Sequence, residues 1–327
     1  MKYTPPYEVT EEMLELVSEI MEAIGGISKL DNLSKLPRLR RAGRIRSVHS
    51  SLAIENNTLT YEQISAILDG KRVLGPPDEI KEAENAIQAY KQIEDTNPYK
   101  MKSLLAIHKT ITNGLIASSG KFRTGGVGVF NKDGKVEHAA PPAERVYELM
   151  TDLFGWLNSS KVHTLIKSSI FHYELEFIHP FDDGNGRIGR LWQTALLAEW
   201  KPIFLWIPIE GIIKSRQQAY YNAIKESTKL GKCNPFILYM LQAILQAVKD
   251  IADGVQNHIN HIDSKVRKLL EALSDFQLTA QEIMNKLGMK SRNSFRDNYL
   301  NPAIEAGVIS LTEPDKPTSK NQKYFKK

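Results

Sequence analysis

Residues 179–190 read His-Pro-Phe-Asp-Asp-Gly-Asn-Gly-Arg-Ile-Gly-Arg. This stretch carries the strongest signal in the sequence for both the fold and the chemistry of the chain. A proline disfavours the helical conformation of the residue before it, so the helix that leads up to Pro180 should end at His179. Gly184, Asn185 and Gly186 then form a loop that exposes backbone N–H groups at the start of a second helix. A loop of this kind, followed by a helix N-terminus, is a binding site for anions.

The charged side chains of the same stretch indicate the kind of anion. Arg187 and Arg190 are three residues apart, so their guanidinium groups should share one face of the second helix. Two arginines beside exposed N–H groups suit a polyphosphate, and a carboxylate at Asp182 or Asp183 can hold the Mg²⁺ that a polyphosphate brings. A histidine beside this cradle can act as a general base near pH 7. The stretch therefore predicts transfer of a phosphorus-containing group from a nucleotide to a hydroxyl, with His179 as the base.

The stretch matches the signature of the Fic family, His-Pro-Phe-x-(Asp/Glu)-Gly-Asn-Gly-Arg-x-x-Arg, at every specified position. A second segment, Ser-Leu-Ala-Ile-Glu-Asn at residues 51–56, resembles the family's inhibitory motif, (Ser/Thr)-x-x-x-Glu-(Gly/Asn). It lies N-terminal to the core, as in the family's second class. The resemblance covers nearly the whole chain and is strongest at these two segments.

Residues 126–138 have the pattern of a short β-hairpin with a turn at Asp133-Gly134, a dipeptide typical of such turns. The hairpin lies where the family has its flap. The functional interpretation is an edge that aligns a target segment by strand addition, and the alternative is a purely structural excursion. The flap residues expected to align a target are Val127, Gly128, Val129 and Val136.

The resemblance implies adenylylation: ATP binds with Mg²⁺, AMP passes to a Ser, Thr or Tyr hydroxyl of a target protein or of the chain itself, and pyrophosphate leaves. By position, His179 resembles the base that deprotonates the hydroxyl and Asp183 the Mg²⁺ ligand, while Asp182 occupies the variable position. The loop lacks the lysine of the Doc-type kinases that share the fold. The residues that resemble the family's anion hole and its phosphate-binding arginines are Gly184, Asn185, Gly186, Arg187 and Arg190.

The resemblance also implies that the enzyme restrains itself. Ser51 and Glu55 are four residues apart and should share one face of a helix turn. In the family, the motif glutamate pairs with the second arginine of the signature, which is Arg190 here. Some members use the same glutamate to activate water and remove AMP, so Glu55 could serve both purposes. The alternative for this segment is an ordinary surface helix with a polar pair.

Helical patterns dominate the chain, and the expected fold class is mainly α: a Fic-fold helical core with a β-hairpin flap, plus a C-terminal winged helix-turn-helix domain. In the tail, three helices precede two strands, and Thr279 and Glu282 have the spacing of a capping box. The first helix, which opens at Thr10, should end at Gly25-Gly26. The predicted domains are an N-terminal helical region over 1–95 with the inhibitory helix around 47–56, the Fic core and following helices over 96–260, and the winged helix over 263–327.

The composition is that of a soluble globular protein: 327 residues, 42% of them hydrophobic and 25% charged, enough for two or three domains. The single cysteine, Cys233, excludes a disulfide framework and a cysteine-based zinc site, and it fits a reducing compartment. We find no apolar run near the ~18 residues of a membrane span, and the N-terminus lacks the pattern of a secretory signal. These features predict a cytoplasmic protein without a membrane partner.

A DNA-binding regulator with a nucleotide-sensing Fic core is the rival interpretation. From residue 263 onward the chain carries 12 Lys and Arg against 8 Asp and Glu, so most of the net charge of +5 lies in the predicted winged helix. Arg292 and Arg296 of its expected recognition helix suit a DNA groove, whereas Asp297 opposes the phosphates. Winged helices also dock proteins. An intact His179 disfavours the rival, because sensing a nucleotide requires no base.

Overall fold

The computed structural model of the chain describes residues 3–29, 37–126, 128–130, 136–273, 276–314, 316, 319 and 321–326. The chain divides into two compact units, one of Met1–Ile24 with Pro37–Lys249 and one of Gly25–Leu36 with Asp250–Lys327. The fold is mainly α, as the sequence predicts.

The helices of the first unit follow one another with short connections. Helix α7 (Thr164–Ile178) packs against α8 (Asn185–Trp200), and every residue of α8 from 187 to 197 is buried. A helix that is buried all round belongs to the centre of a core, so its arginines need partners from other elements. The others are α1 (Glu11–Lys29), α2 (Pro37–Ile54), α3 (Tyr61–Leu68), α4 (Pro77–Gln92), α5 (Met101–Ile111), α6 (Ala143–Ser159), α9 (Ile209–Ser215) and α10 (Gln217–Leu230).

Helix boundaries follow local sequence in some places and override it in others. Thr60 caps α3 through a capping box with Gln63. The prediction that the first helix ends at Gly25-Gly26 is wrong, because α1 continues to Lys29. Neither glycine takes the left-handed conformation that terminates a helix, and glycine inside a helix costs only about 1 kcal/mol.

The predicted hairpin is present as two antiparallel strands, β1 (Gly128–Phe130) and β2 (Val136–Ala139). Gly128 pairs with Ala139, and the register shifts between Val129 and Phe130. Val127 and the predicted turn lie outside the described residues. The hairpin follows α5 in the chain and precedes α6, which places it before the helix pair that carries the site.

Helix α11 (Asn234–Leu273) is continuous across the boundary between the units. Its stretch Asn234–Asp253, with a mean hydropathy of 1.2, is long and apolar enough to span a membrane, which the sequence analysis did not anticipate. Half of that stretch is buried inside the structure, as in the core helix of a globular protein.

The second unit combines short helices with a three-stranded sheet. Its strands are β3 (Leu278–Thr279), β4 (Ile309–Leu311) and β5 (Lys323–Lys326), in the antiparallel order β3-β5-β4. Thr279 caps α12 (Ala280–Lys286) with Glu282, as predicted. Helix α13 (Arg292–Phe295), a π turn (Arg296–Leu300) and α14 (Asn301–Glu305) follow. The unit has its own core, which includes Leu269, Leu273, Ile283, Phe295 and Tyr324.

Candidate active site

The loop between α7 and α8 holds its shape through its own side chains. Helix α7 ends before Pro180, and His179 takes the left-handed conformation (φ 50°), which is uncommon for a residue other than glycine. Asn185 closes the loop on Phe181: its side chain accepts the N–H of Phe181 at 3.0 Å and donates to the carbonyl at 2.9 Å. Gly184 is also left-handed (φ 82°) and caps α8. The first turn of α8 therefore starts beside His179.

Arg123 secures this loop from behind, and sequence reasoning missed it. Its side chain is buried, and its backbone N–H donates to the carbonyl of Pro180 at 3.0 Å. The shortest side-chain contact to the loop is from Nε to the carbonyl of His179, at 2.7 Å. A guanidinium satisfied by backbone carbonyls fixes the unusual conformation of His179 and ties the loop to both ends of the hairpin segment. The side-chain acceptors are the carbonyls of His179, Gly125, Pro141 and Ile178.

His108 of α5 supports the other side of the loop. Its ring stacks on Phe181 with centroids 3.6 Å apart, and Nδ1 accepts the N–H of Gly120 at 3.0 Å. The proton therefore lies on Nε2, which donates to the carbonyl of Asp183 at 2.9 Å. Burial lowers the pKa of His108, in keeping with a neutral ring. No motif in the sequence marks this histidine as part of the site.

Asp183 and Arg187 form a pair within the first turn of α8. Asp183 accepts the N–H of Gly184 at 2.6 Å through Oδ1 and Arg187 Nη2 at 2.8 Å through Oδ2. The other terminal nitrogen of Arg187, Nη1, donates at 2.6 Å to Glu82 of α4. Arg187 is thus held between two carboxylates, and its guanidinium and that of Arg190 have different partners.

Arg190 is the second buried arginine of α8, and the end of α2 meets it. Its Nη2 donates to Glu55 at 2.7 Å and to the carbonyl of Ser51 at 3.1 Å, while Nε donates to the Ser51 hydroxyl at 3.2 Å. Burial alone would lower the pKa of Arg190, but the Glu55 carboxylate outweighs burial and raises it. The structure therefore brings Ser51 and Glu55 together with Arg190 across 135 positions of sequence.

Two backbone features let Glu55 reach this place. Asn56 is left-handed (φ 67°), a conformation that asparagine and glycine tolerate best, which explains the choice at this position of the motif. Gly186 leaves room for the carboxylate, because a Cβ there would lie 2.5 Å from Oε1 of Glu55.

Side chains from the chain after α8 bind the last carbonyls of α2. Lys214 Nζ donates to the carbonyl of Ala53 at 2.6 Å, and Gln217 Nε2 donates to that of Ile54 at 2.9 Å.

A cleft of about 440 Å³ opens over these residues. His179, Gly186, Arg190 and Glu55 line it. Helix α10 forms another part of its wall with Tyr220, Tyr221, Ile224, Lys225, Thr228 and Lys229. A half-enclosed space with an aromatic wall, a histidine and a helix N-terminus can hold a nucleotide with its phosphates towards α8.

Glu176, one turn before His179, is another cleft residue that the sequence analysis did not identify. Burial tends to raise the pKa of its carboxyl, but His172, His179 and Arg190 outweigh burial and lower the pKa. The carboxylate therefore stays charged and adds a negative charge to the lining of the cleft.

Asp183 is suited to hold a divalent cation together with a polyphosphate. Its side chain is 53% exposed, and each carboxylate oxygen has a lone pair beyond its single hydrogen bond. Within the described residues no group of three or more His, Cys, Asp or Glu could enclose a metal. Mg²⁺ in proteins is usually bound through one or two carboxylates together with substrate phosphates and water.

Known proteins resemble this chain in sequence and in fold. Residues 98–197 match the model of the Fic/DOC family, and residues 264–325 match that of the C-terminal domain of Fic-like "filamentation induced by cAMP" proteins. A crystal structure of a Fic family protein from Desulfovibrio desulfuricans G20 is 45% identical, with a TM-score of 0.75, and the match covers 99% of this chain and 98% of that one.

Curated relatives are more distant. "Protein adenylyltransferase fic-1" of Caenorhabditis briggsae is 27% identical over 289 residues, which cover 80% of this chain and 54% of that protein. "Protein adenylyltransferase Fic" of Culex quinquefasciatus is 28% identical over 243 residues, which cover 70% and 45%. This chain spans about half the length of the curated relatives it matches.

Proposed function

The chain belongs to the Fic family, and from that membership we propose that it is a protein adenylyltransferase, which transfers AMP from ATP to a Ser, Thr or Tyr hydroxyl of a target protein or of itself. The observation that carries this proposal is the position of His179 in the cleft, beside Gly186 and the N-terminus of α8. A base and an anion-binding helix terminus facing one space are what phosphoryl-type transfer requires.

In the proposed reaction His179 removes the proton of the target hydroxyl, and the hydroxyl oxygen forms a bond to the α-phosphorus. The bond between the α-phosphorus and the oxygen bridging to the β-phosphate breaks, and pyrophosphate leaves with that electron pair. The clamp of Arg123 on the carbonyl of His179 keeps the ring aimed at the cleft. The first N–H groups of α8 and Arg190 bind the phosphates and stabilise the charge that develops.

Mg²⁺, when bound, would neutralise phosphate charge, and Asp183 is the residue that would hold it. The part of the cleft wall formed by α10 supports a binding place for the adenine ring of ATP, because the ring of Tyr221 and the side chain of Ile224 offer an apolar surface.

The pair of Glu55 with Arg190 supports a self-restrained enzyme. Arg190 is 1% exposed at its side chain, so a carboxylate on its guanidinium occupies the donors that a phosphate would use. A triphosphate that enters the cleft meets the charge of Glu55 and cannot align its α-phosphorus. Glu55 is 36% exposed and lines the same cleft as His179, which supports a further role for it in activating water for removal of AMP.

Labelled ATP tests the transfer. The Glu55→Gly variant of the 327-residue chain, with Mg²⁺ and ATP labelled at either the α- or the γ-phosphate, should incorporate the α-label and no γ-label. Adding His179→Ala should abolish incorporation while calorimetry shows ATP binding largely retained, because Arg190 and the α8 N-terminus remain. Incorporation of γ-label would replace the proposal with a kinase, and full α-label transfer by the Ala variant would refute the role of His179.

Binding of DNA by the second unit is a second candidate function. Arg292 and Arg296 are exposed and lie one turn apart, and within the described part of the chain neither has an ion-pair partner. Gel shifts with mixed-sequence duplex DNA test it: binding should fall with rising salt and in the Arg292→Ala/Arg296→Ala variant, whereas Arg145→Ala in the first unit should change nothing. Equal retardation of all three proteins would contradict this candidate.

A further inference from the structure

Four side chains form a continuous polar chain from the inhibitory segment to the metal-binding carboxylate. Asn57 Nδ2 donates to Glu82 Oε2 at 3.0 Å, and the other oxygen of Glu82 accepts Arg187 Nη1 at 2.6 Å. Arg187 Nη2 in turn donates to Asp183 Oδ2 at 2.8 Å. Glu82 and Arg187 are the inner members of this chain, and the proposed reaction gives Glu82 no role.

Burial decides what the inner pair does. The side chain of Arg187 is 7% exposed and that of Glu82 22%, whereas Asp183 is 53% exposed. A buried guanidinium needs a carboxylate partner, because an unpaired charge in the interior is costly. Glu82 supplies that partner from α4, so Arg187 does not depend on Asp183 alone.

The consequence concerns the metal. A cation bound at Asp183 competes with Arg187 for the same carboxylate. Because Glu82 also pairs with Arg187, the ion pair between Arg187 and Asp183 is weaker, and the Asp183 carboxylate keeps lone pairs for the cation. Without Glu82, the full charge of Arg187 falls on Asp183, which draws the carboxylate towards the core and repels a divalent ion.

The outer end of the chain lies directly after the inhibitory segment. Asn57 follows the left-handed Asn56 and is itself buried. Its Nδ2 also donates to the carbonyl of Glu79 at 3.1 Å, and its Oδ1 accepts the N–H of Leu59 at 3.1 Å. These contacts fix the amide so that its second N–H points at Glu82.

We propose that Glu82 is a positioning residue for the metal site: it balances Arg187 so that Asp183 can bind the divalent cation of a metal·nucleotide, and Asn57 holds Glu82 in place. The inference rests on the proposed function for the nature of that ligand. It gives the end of the inhibitory segment a second task, because the same turn that places Glu55 on Arg190 also supports the metal ligand.

Binding of Mn²⁺ to the 327-residue chain in the presence of ADP tests this, with free Mn²⁺ measured by electron paramagnetic resonance. Partners behind a metal ligand typically change metal affinity 10–100-fold, so Glu82→Gln should raise the Kd for Mn²⁺ by about tenfold. Glu84→Gln, at an exposed position on the same helix, is the matched control and should leave the Kd unchanged. Asp183→Asn should abolish the site.

A second variant keeps the test decisive if Glu82→Gln is unstable. Asn57→Asp is isosteric and keeps the acceptor for Leu59, but it faces Glu82 with a carboxylate oxygen in place of the N–H. The two carboxylates should repel each other and move Glu82 away from Arg187, so the Kd for Mn²⁺ should rise as it does in Glu82→Gln. An unchanged or lower Kd in a folded Glu82→Gln or Asn57→Asp protein would overturn the inference, as would Mn²⁺ binding that ignores Asp183→Asn.

The proposed function fails separately. Loss of α-label transfer in every form of the enzyme, with the Mn²⁺ effect intact, would remove the adenylyltransferase and keep the positioning role. Transfer of the α-label together with a Mn²⁺ affinity that does not depend on Glu82 would keep the adenylyltransferase and remove the positioning role.

Discussion

At the scale of single residues, the site depends on a few backbone conformations that side chains rarely adopt. His179 and Asn56 are both left-handed, and each follows the end of a helix beside the cleft, which His179 itself and Glu55 line. Asn56 can be understood from sequence, because the motif allows only glycine or asparagine there. The conformation of His179 cannot be understood in this way, because the proline at the next position predicts that the helix ends but not which conformation follows.

Asn56→Ala should lower the free energy of unfolding by about 1 kcal/mol relative to Asn56→Gly, since a Cβ is strained in the left-handed region. The same change should loosen Glu55 and raise α-label incorporation. Chemical denaturation and the labelling assay measure the two effects. Equal stability of the two variants would show that the turn is not strained in solution.

Ser51→Ala should raise self-modification less than removal of Glu55. The hydroxyl supplies one of three contacts to Arg190, and the backbone carbonyl of Ser51 and Glu55 remain. Arg190→Ala should not activate, because it removes the restraint and a phosphate-binding group together. Initial rates of α-label incorporation by the two variants decide this, and a strongly active Arg190→Ala protein would contradict the role of Arg190 in binding ATP.

At the scale of elements, the sequence predicts the helices and the motif loop well, because their signals are local. The capping box of Thr279 with Glu282 is an example. The supports of the loop are different: His108, Arg123 and Glu82 come from three separate parts of the chain, and only the fold brings them to the loop. No spacing in the sequence relates Glu82 to Arg187, which lies 105 positions later.

His108 should make stability depend on pH. Burial lowers its folded pKa below the unfolded value of about 6.5, so below that pH the unfolded chain binds a proton that the folded chain does not. The stabilising contribution is therefore complete above about pH 6.5 and is lost as pH falls through the folded pKa. His108→Gln should show a smaller drop in Tm between pH 7.5 and pH 5.5 than the wild type. An identical drop would mean that His108 is not held neutral.

At the scale of the whole molecule, the chain divides into two units, and helices α1 and α11 each continue from one unit into the other along the sequence. The predicted boundary at residues 260–263 falls inside α11, because a helix that runs from one unit into the next carries no turn signal in its sequence. All residues that line the cleft belong to the first unit.

A chain truncated after Ile262 should therefore fold and still incorporate α-label into itself. The truncation removes the core of the second unit, including Leu269 and Leu273, and leaves the whole of the first. Circular dichroism and the labelling assay on the Glu55→Gly background measure this. A soluble, helical but inert product would show that the second unit is needed for chemistry.

The central claim is an adenylyltransferase that Glu55 restrains through Arg190, and the most direct measurement compares α-label incorporation by the wild type and Glu55→Gly at saturating ATP and Mg²⁺. A restraint of about 3 kcal/mol corresponds to roughly a hundredfold in rate. The account predicts an increase of that order in the variant, abolished by adding His179→Ala. Equal incorporation by wild type and variant would contradict it.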